Sequence, residues 1–313
     1  MAESKRSSHH FRAVVQALFV TFLWSTSWVL IKVGLKADLP AVTFAGLRYT
    51  LAFLCLTPFV LFNSVNFNIL RNLSIRNWVD LTILGVVFYT ITQGAQFISL
   101  SLLPAATLTL ILNFTTVLIA FYGTINKHEP TSVVQWGGII LTVAGALIYF
   151  LPLSTPTGQF LGIIAALAGL LSNAGSAIYG RYVNSKSNLP PIIVTTVSMG
   201  IGGLLLLTAG YTTQGFGTLS TKQWLIIGWL ALVNTAFAFT LWNRTLQTLT
   251  AVESSIINGT MLPQIAILAW LFLDEPLNLR QILGITFVGI GTMVVQLWRY
   301  IPLSKKQHFI KES

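Results

Sequence analysis

The feature that most constrains this chain is a series of continuous apolar stretches, each long enough to cross a lipid bilayer. A membrane-spanning helix needs about 20 mostly apolar residues, because each residue rises about 1.5 Å through a hydrocarbon layer about 30 Å thick. Apolar residues make up 54% of the 313 positions and charged residues only 8%, whereas about a quarter of an ordinary soluble domain is charged. We therefore predict a polytopic membrane protein.

Charged residues, prolines and glycines divide the apolar sequence into ten stretches. The predicted spans are 13–34, 41–63, 78–99, 104–123, 132–151, 159–181, 191–211, 223–243, 251–273 and 279–298. The third and fourth spans meet at Leu103-Pro104, where we predict a tight turn, since one merged helix would be twice as long as the bilayer is thick. Strands of an outer-membrane barrel are about ten residues long and alternate in hydrophobicity, so the fold class is all-α.

The positive charges follow the positive-inside rule for ten spans with a cytoplasmic N-terminus. On that assignment thirteen of the 18 Lys and Arg residues lie in inner connections and tails and three in outer connections, while Lys32 and Arg48 lie within spans. The even number of spans places both termini in the cytoplasm. The net charge of +10 is therefore a topology signal, and we predict no nucleic-acid partner.

The two halves of the chain match each other at an offset of 146 residues. The matching positions of the first half are Leu100, Leu103, Ala105, Ile111, Ile119, Ala120, Glu129, Pro130, Gln135, Gly138, Ile139 and Gly145. Because each unit has five spans, the second copy is inverted in the membrane, as in transporters that work by alternating access. The predicted domains are a cytoplasmic tail at 1–12, five-helix repeats at 13–151 and 159–298, and a basic cytoplasmic tail at 299–313.

Two features of the repeat favour a structural interpretation. The Glu129-Pro130 pair, which recurs as Glu275-Pro276, suits a helix start, since proline fits the first helical position and a carboxylate fits the positive end of the helix. Glycines of the fifth and tenth spans suit close helix packing or dimer contacts. They are Gly137, Gly138, Gly145, Gly284, Gly289 and Gly291.

Several spans carry polar or aromatic residues on one helical face, which predicts a shared cavity for a small solute. The candidate binding residues on these faces are Trp24, Trp28 and Lys32 in the first span, Tyr89 and Gln93 in the third, Asn113 in the fourth, Asn234 and Trp242 in the eighth, and Asn258 in the ninth. Each amide has an alternative role in joining helix to helix. Trp242 has an alternative role as an interface anchor.

Charged side chains inside spans are the rarest candidates, since each costs about 3 kcal/mol at the bilayer centre on insertion scales. Lys32 and Arg48 lie near the predicted outer ends, where they either bind a substrate or extend to the interface. Asp80 and Glu253 lie near inner ends, as candidates for proton coupling or as residues of a first helical turn.

Other classes of function lack the residues they need. Cys55 is the single cysteine, and all four histidines lie in tails or a connection, so we predict no metal site, no cofactor and no catalytic residues. The sequence also has no phosphate-binding loop of the GxxxxGK[ST] type. A membrane-embedded enzyme or a structural subunit is therefore a remote alternative.

Ten spans in paired five-span halves resemble the drug/metabolite transporter superfamily, and in particular its EamA family. The motifs that carry the resemblance are WSTSWVLIK at 24–32, FAGLR at 44–48, LPAA at 103–106, Glu129 with the glycine-bearing fifth span, and MLPQIAILAWLFLDEP at 261–276. The resemblance implies a monomeric or homodimeric secondary transporter with a cavity lined by both halves. On matching motifs it favours Trp24, Trp28, Lys32 and Arg48 as substrate-binding residues.

We therefore expect a carrier that exports small metabolites, such as amino acids, across a cell membrane by alternating access. Aromatic and amide side chains suit a neutral or zwitterionic solute with an apolar part. The alternatives are a drug efflux carrier and an exchanger of phosphorylated or nucleotide-linked sugars. Because Lys32 and Arg48 are the two basic residues well inside spans, a highly anionic solute is less favoured. A plastid membrane, the direction of transport and the coupling ion stay open.

Overall fold

The computed structural model describes most of the chain as a set of helices. The described residues are 2–36, 39–125, 132–151, 159–186, 189–217, 219–246, 248–249 and 257–298, and within these ranges there is no β-strand. Seven helices of the described chain are long and apolar enough to cross a membrane, and three shorter apolar helices accompany them. The described chain is therefore all-helical, and the protein is a multi-pass membrane protein.

Eleven helices are numbered here in chain order. They are α1 (Ala2–Lys36), α2 (Ala41–Leu61), α3 (Ser64–Arg71), α4 (Ile75–Leu102), α5 (Ala105–Ile125), α6 (Val133–Phe150), α7 (Phe160–Lys186), α8 (Pro191–Gln214), α9 (Thr221–Ala231, Leu232–Phe237 and Ala238–Leu246 in succession), α10 (Met261–Phe272) and α11 (Leu279–Trp298). Residues 2–12, which we predicted as a tail, are helical in α1. The predicted tail at 299–313 lies outside the described residues.

Side chains cap several helix starts, because the first four backbone N–H groups of a helix have no partner within it. Ser132 and Gln135 form a reciprocal capping box at α6, and Ser220 and Gln223 form one at α9. The end of α4 at Leu102 and the start of α5 at Ala105 agree with the turn predicted between the third and fourth spans.

The most extensive helix pairs are α6 with α11 and α2 with α8. Helix α1 packs on α9 and α10, and α7 packs on α4 and α5. The α6–α11 contact is close because glycines face backbone. A methyl group added to Gly145 would lie 2.8 Å from the Gly284 carbonyl oxygen, and one added to Gly138 would lie 2.8 Å from that of Gly291. The close-packing interpretation of these four glycines is confirmed, whereas a methyl group added to Gly137 or Gly289 would meet no atom of the described chain within 4 Å.

Helices α4 and α9 each contain a π-helical segment near the middle, at Gly85–Thr92 and Leu232–Phe237. In each one a threonine hydroxyl donates to the carbonyl oxygen five residues earlier. Thr92 bonds to Val87 at 2.8 Å, and Thr235 bonds to Leu230 at 2.8 Å. Such π-helical turns are rare and frequently occur at functional sites.

We predict that Gly145→Ala destabilises the protein by about 1–3 kcal/mol, because the added methyl meets backbone atoms of α11 that cannot move aside. Gly137→Ala, in the same helix, is the matched control, and it should leave the melting temperature unchanged or raise it, since alanine favours helix by up to about 1 kcal/mol. Thermal unfolding in detergent measures both. Equal melting temperatures for the two variants would contradict the assigned packing.

Candidate functional site

Arg48 is a buried cation in the second span. Its side chain is 4% exposed, so it does not extend to the membrane interface, as one sequence-based alternative held. Its Nε atom donates to Thr235 Oγ1 of α9 at 2.9 Å, and its guanidinium carbon lies 5.3 Å from the centroid of the Tyr49 ring. The residue therefore bridges α2 and the π-helical segment of α9.

The guanidinium of Arg48 has no carboxylate partner in the part of the chain that the structure describes. Its described partners are the hydroxyl of Thr235 and the aromatic ring of Tyr49. Its hydrogen bond to Thr235 uses Nε, so its two terminal nitrogens have no hydrogen-bond acceptor among the described residues. Buried charges in proteins are normally paired, so this arrangement can receive an anion.

Two predicted residues of α4, Tyr89 and Gln93, contact Tyr49, which follows Arg48 in the sequence. The Tyr49 hydroxyl donates to Gln93 Oε1 at 2.6 Å, and the Tyr49 and Tyr89 rings meet edge to face with their centroids 5.4 Å apart. Arg48, Tyr49, Tyr89, Gln93 and Thr235 are named the central polar group below. It joins α2 to the π-helical segments of both α4 and α9.

A cluster of aromatic rings brings Trp24 and Trp242 together between α1 and α9. Their ring centroids are 5.1 Å apart, and the Phe239 ring lies 5.2 Å from that of Trp24. The indole Nε1 of Trp24 is buried and has no hydrogen-bond partner among the residues that the structure describes. Because buried donors in proteins are nearly always paired, this N–H is available to an acceptor on a bound solute.

Asn234, in the same part of α9, acts at least partly as a contact between helices. Its Nδ2 donates to the Leu23 carbonyl oxygen and, at 3.3 Å, to Thr26 Oγ1 of α1. Its Oδ1 atom is buried and has no hydrogen-bond partner in the described part of the chain. The amide thus joins α9 to α1 through its nitrogen and keeps one acceptor unused.

Lys32 lies apart from the central polar group, at the turn between α4 and α5. Its Nζ donates to the carbonyl oxygens of Leu100 at 2.6 Å and Leu103 at 2.5 Å. Lys36 Nζ donates to the Leu273 carbonyl oxygen, just after α10, at 3.1 Å. Both ammonium groups therefore neutralise helix C-terminal ends, which carry partial negative charge.

Glu275 completes this helix-end cluster, which is defined as Lys32, Lys36 and Glu275. The Ala105 backbone N–H donates to Glu275 Oε2 at 2.8 Å, so the carboxylate caps α5. The helix-start interpretation was therefore wrong about which helix the carboxylate serves: α11 begins after Asn278, not at the Glu-Pro pair. Burial raises the pKa of Glu275, and the Ala105 bond and the two lysines oppose that effect. Glu129 lies outside the described residues.

The remaining sequence candidates lie elsewhere. Asp80 is in the second turn of α4 and accepts a hydrogen bond from the Tyr179 hydroxyl at 2.8 Å, so it is not a first-turn residue. Asn113 donates to the Thr109 carbonyl of its own helix at 2.9 Å. Trp28 is half-buried against the main core, Asn258 is exposed, and Glu253 lies outside the described residues.

Sequence reasoning missed Tyr49 and Thr235. Tyr49 directly follows the FAGLR segment, and Thr235 follows Asn234, so their neighbours were the available signals. Helical periodicity could not reveal the contact of Thr235 with Arg48. The two residues are 187 positions apart, and the orientation of Thr235 depends on a π-helical turn.

Comparison with known proteins decides the family. The sequence profile of the EamA-like transporter family matches residues 11–151 and 160–297. This chain belongs to the EamA-like transporter family. Membership supports a role as a transporter, and it agrees with the resemblance seen in the motifs of the sequence.

Curated relatives match this EamA family member over most of their length. An uncharacterized transporter of Bacillus subtilis is 26% identical over 91% of each chain. An S-adenosylmethionine/S-adenosylhomocysteine transporter of Chlamydia muridarum is 22% identical over 88% of each chain. A probable amino-acid metabolite efflux pump of Escherichia coli is 25% identical, over 90% of this chain and 93% of that one.

One solved crystal structure shares the fold. It superposes with a TM-score of 0.65 and covers 93% of this chain and 99% of its own chain. The two sequences are 16% identical, so the likeness concerns the fold alone.

We predict that Glu275→Gln weakens the pH dependence of stability. Burial raises the folded-state pKa of Glu275 above its ordinary value of 4.5. The protonated carboxyl group therefore makes its full contribution to the free energy of unfolding below that pH. This contribution is lost as pH rises through the folded-state pKa. Melting temperatures in detergent should therefore fall less from acid to neutral pH in the variant than in the wild type. Asp274→Asn, at the adjacent exposed carboxylate, is the control and should parallel the wild type. Parallel curves for Glu275→Gln would refute the assignment.

Proposed function

We propose that this protein is a secondary transporter that exports small metabolites, such as amino acids, across the cell membrane by alternating access. The observation that carries the proposal is the hydrogen bond between Arg48 and Thr235, which places a buried polar site between a helix of the first half and a helix of the second. Sites of this kind, at the contact of two repeats, are typical of secondary transporters.

We also infer ten spans arranged as two inverted five-helix repeats, with both termini in the cytoplasm. The pairing of helices supports this architecture. The contacts α6–α11, α2–α8 and α5–α10 each join helices five spans apart, and the contacts of α1 with α9 and α10 correspond to those of α7 with α4 and α5. The π-helical segments of α4 and α9, in the third and eighth spans, correspond in the same way.

The names of the relatives support a solute with an amino-acid group. Amino acids, S-adenosylmethionine and S-adenosylhomocysteine all carry an amino group and a carboxylate on one carbon. A phosphorylated sugar requires several basic residues at one place, whereas Lys32 is occupied by two backbone carbonyls and leaves Arg48 alone. Sugar-phosphate exchange is therefore the less favoured alternative, and drug efflux is an outcome that the test below can reveal.

The helix-end cluster suggests how one side of the carrier closes. In this cluster Lys32 binds the α4–α5 turn, and Lys36 binds the end of α10. Glu275, which follows α10, binds the start of α5. The contacts of Lys36 and Glu275 therefore connect the two halves. In the proposed cycle, opening on this side breaks these contacts and closing restores them. Asp80 and Glu253 are the proposed candidates for proton coupling, and the working unit is a monomer or homodimer in the bilayer.

The test of function is counterflow in proteoliposomes loaded with unlabelled amino acids, S-adenosylmethionine or a cationic drug. We predict exchange of at least one amino-acid-type solute, and at least a tenfold lower rate in Trp24→Ala, because that change removes the ring packed between Trp242 and Phe239. Trp229→Ala is the control, since Trp229 is 55% exposed on the outside of α9 and should transport normally. Exchange of the drug alone would indicate efflux, and no exchange by folded protein would reject the proposed function.

A further inference from the structure

The central polar group contains a charge that the fold itself does not balance. Arg48 is buried, and among the described residues it contacts a hydroxyl and an aromatic ring but no carboxylate. Ionisable side chains inside membrane proteins are rare and usually serve function, whereas a buried arginine with a purely structural role normally has an anionic partner. The missing partner therefore points to a ligand.

We propose that Arg48 binds one carboxylate of the transported solute and that Thr235 is the positioning residue that orients it. The proposal rests on the proposed function and specifies the chemical class of its substrate. It also assigns to Thr235, which carries no charge, a role in specificity.

The unused part of the guanidinium has the geometry that a carboxylate requires. Nε is bonded to Thr235, and one face of the planar group lies toward Tyr49, which leaves the two terminal nitrogens. A guanidinium presents its N–H groups as a rigid planar fork that matches the two oxygens of a carboxylate. Binding of a carboxylate would pair the charge and would use these donors.

Thr235 can hold Arg48 in one orientation because its hydroxyl group has a fixed donor and a fixed acceptor role. Its single hydroxyl proton is donated to the Leu230 carbonyl oxygen at 2.8 Å. Its oxygen lone pairs are therefore the acceptor for Arg48 Nε at 2.9 Å. The bond runs from the π-helical segment back to Leu230, five residues earlier in the preceding turn, so the shape of α9 determines where the guanidinium points.

The rest of the central polar group suits the part of the solute next to the carboxylate. The Tyr49 hydroxyl is fixed by its donation to Gln93 Oε1, and the Tyr89 ring packs against Tyr49 on the α4 side. Aromatic rings and an amide accept a polar or apolar side chain, so we expect the carboxylate to be the common requirement and the side chain to be variable.

The first experiment compares solutes that differ only in the carboxylate. Counterflow is measured for L-leucine, L-phenylalanine, L-threonine and S-adenosylmethionine, each beside its decarboxylated amine. We expect exchange of at least one carboxylate-bearing solute and at least a tenfold lower rate for its amine. Equal exchange of acid and amine, or exchange of amines alone, would overturn this inference and leave the transporter function intact. Absence of exchange for every solute would overturn both.

The second experiment uses a matched pair of variants at Thr235. Thr235→Val keeps the shape but removes the acceptor, and we expect it to raise the KM for the carboxylate solute about tenfold with little change in the maximal rate, since a hydrogen bond to a charged group is lost. Thr235→Ser keeps the hydroxyl and should stay within about twofold of the wild type. Equal KM values for Thr235→Val and the wild type would reject the positioning role.

Arg48→Met separates a binding role from a structural one. Because the described fold supplies no anion to Arg48, its replacement by a neutral side chain of similar length should keep or raise the melting temperature while abolishing carboxylate-dependent exchange. A variant that melts well below the wild type would show that Arg48 supports the fold. If Arg48→Met cannot be purified, that result also counts against the inference, and the Thr235 pair still measures the positioning role independently.

Discussion

The absence of water inside the bilayer is the constraint on which the rest of this structure depends. Every backbone N–H and C=O group in the hydrocarbon region needs a partner within the protein, so the described chain is helical throughout the spans. The same requirement applies where a helix ends or deviates. Lys32 donates to the open carbonyls of Leu100 and Leu103 at the end of α4, Glu275 accepts from the open N–H at the start of α5, and Thr235 donates to the Leu230 carbonyl just before the π-helical segment. Polar side chains are therefore placed mainly by backbone demands.

The same constraint explains why Lys32 and Arg48, the two basic residues within the first two spans, have different roles. Lys32 donates to two carbonyl oxygens at a negative helix end and has Glu275 nearby, so the protein itself balances its charge. Arg48 has one neutral hydroxyl and one aromatic ring as partners in the described chain. Their positions in the sequence made the two residues look equivalent. Their partners differ, however: Lys32 connects helices, whereas Arg48 is a candidate for binding the solute.

Much of the fold follows from periodicity and charge, while the site depends on contacts that neither reveals. The break at Leu103-Pro104 and the packing glycines were predictable, because span length and small residues are local properties. Tyr89 and Gln93 were predicted as one face of a helix, and both contact Tyr49, which follows Arg48 in the sequence. Thr235 was missed because a π-helical turn changes which side chains share a face. Glu275 was assigned to its own helix because sequence neighbours, not spatial ones, were known.

The two π-helical segments connect the fold to the proposed mechanism. Each segment adds one residue to a turn of its helix, at the place where that helix meets a helix of the opposite half. The α4 segment packs on α8, and the α9 segment packs on α2. A rocking motion of one half against the other must move these contacts, and with them Thr235 and the guanidinium it orients. Because Thr235 bonds both to Leu230 and to Arg48, a change in the turn would alter the position of the charge. Binding of an anion at Arg48 and the relative position of the two halves would then be coupled through a single hydroxyl group.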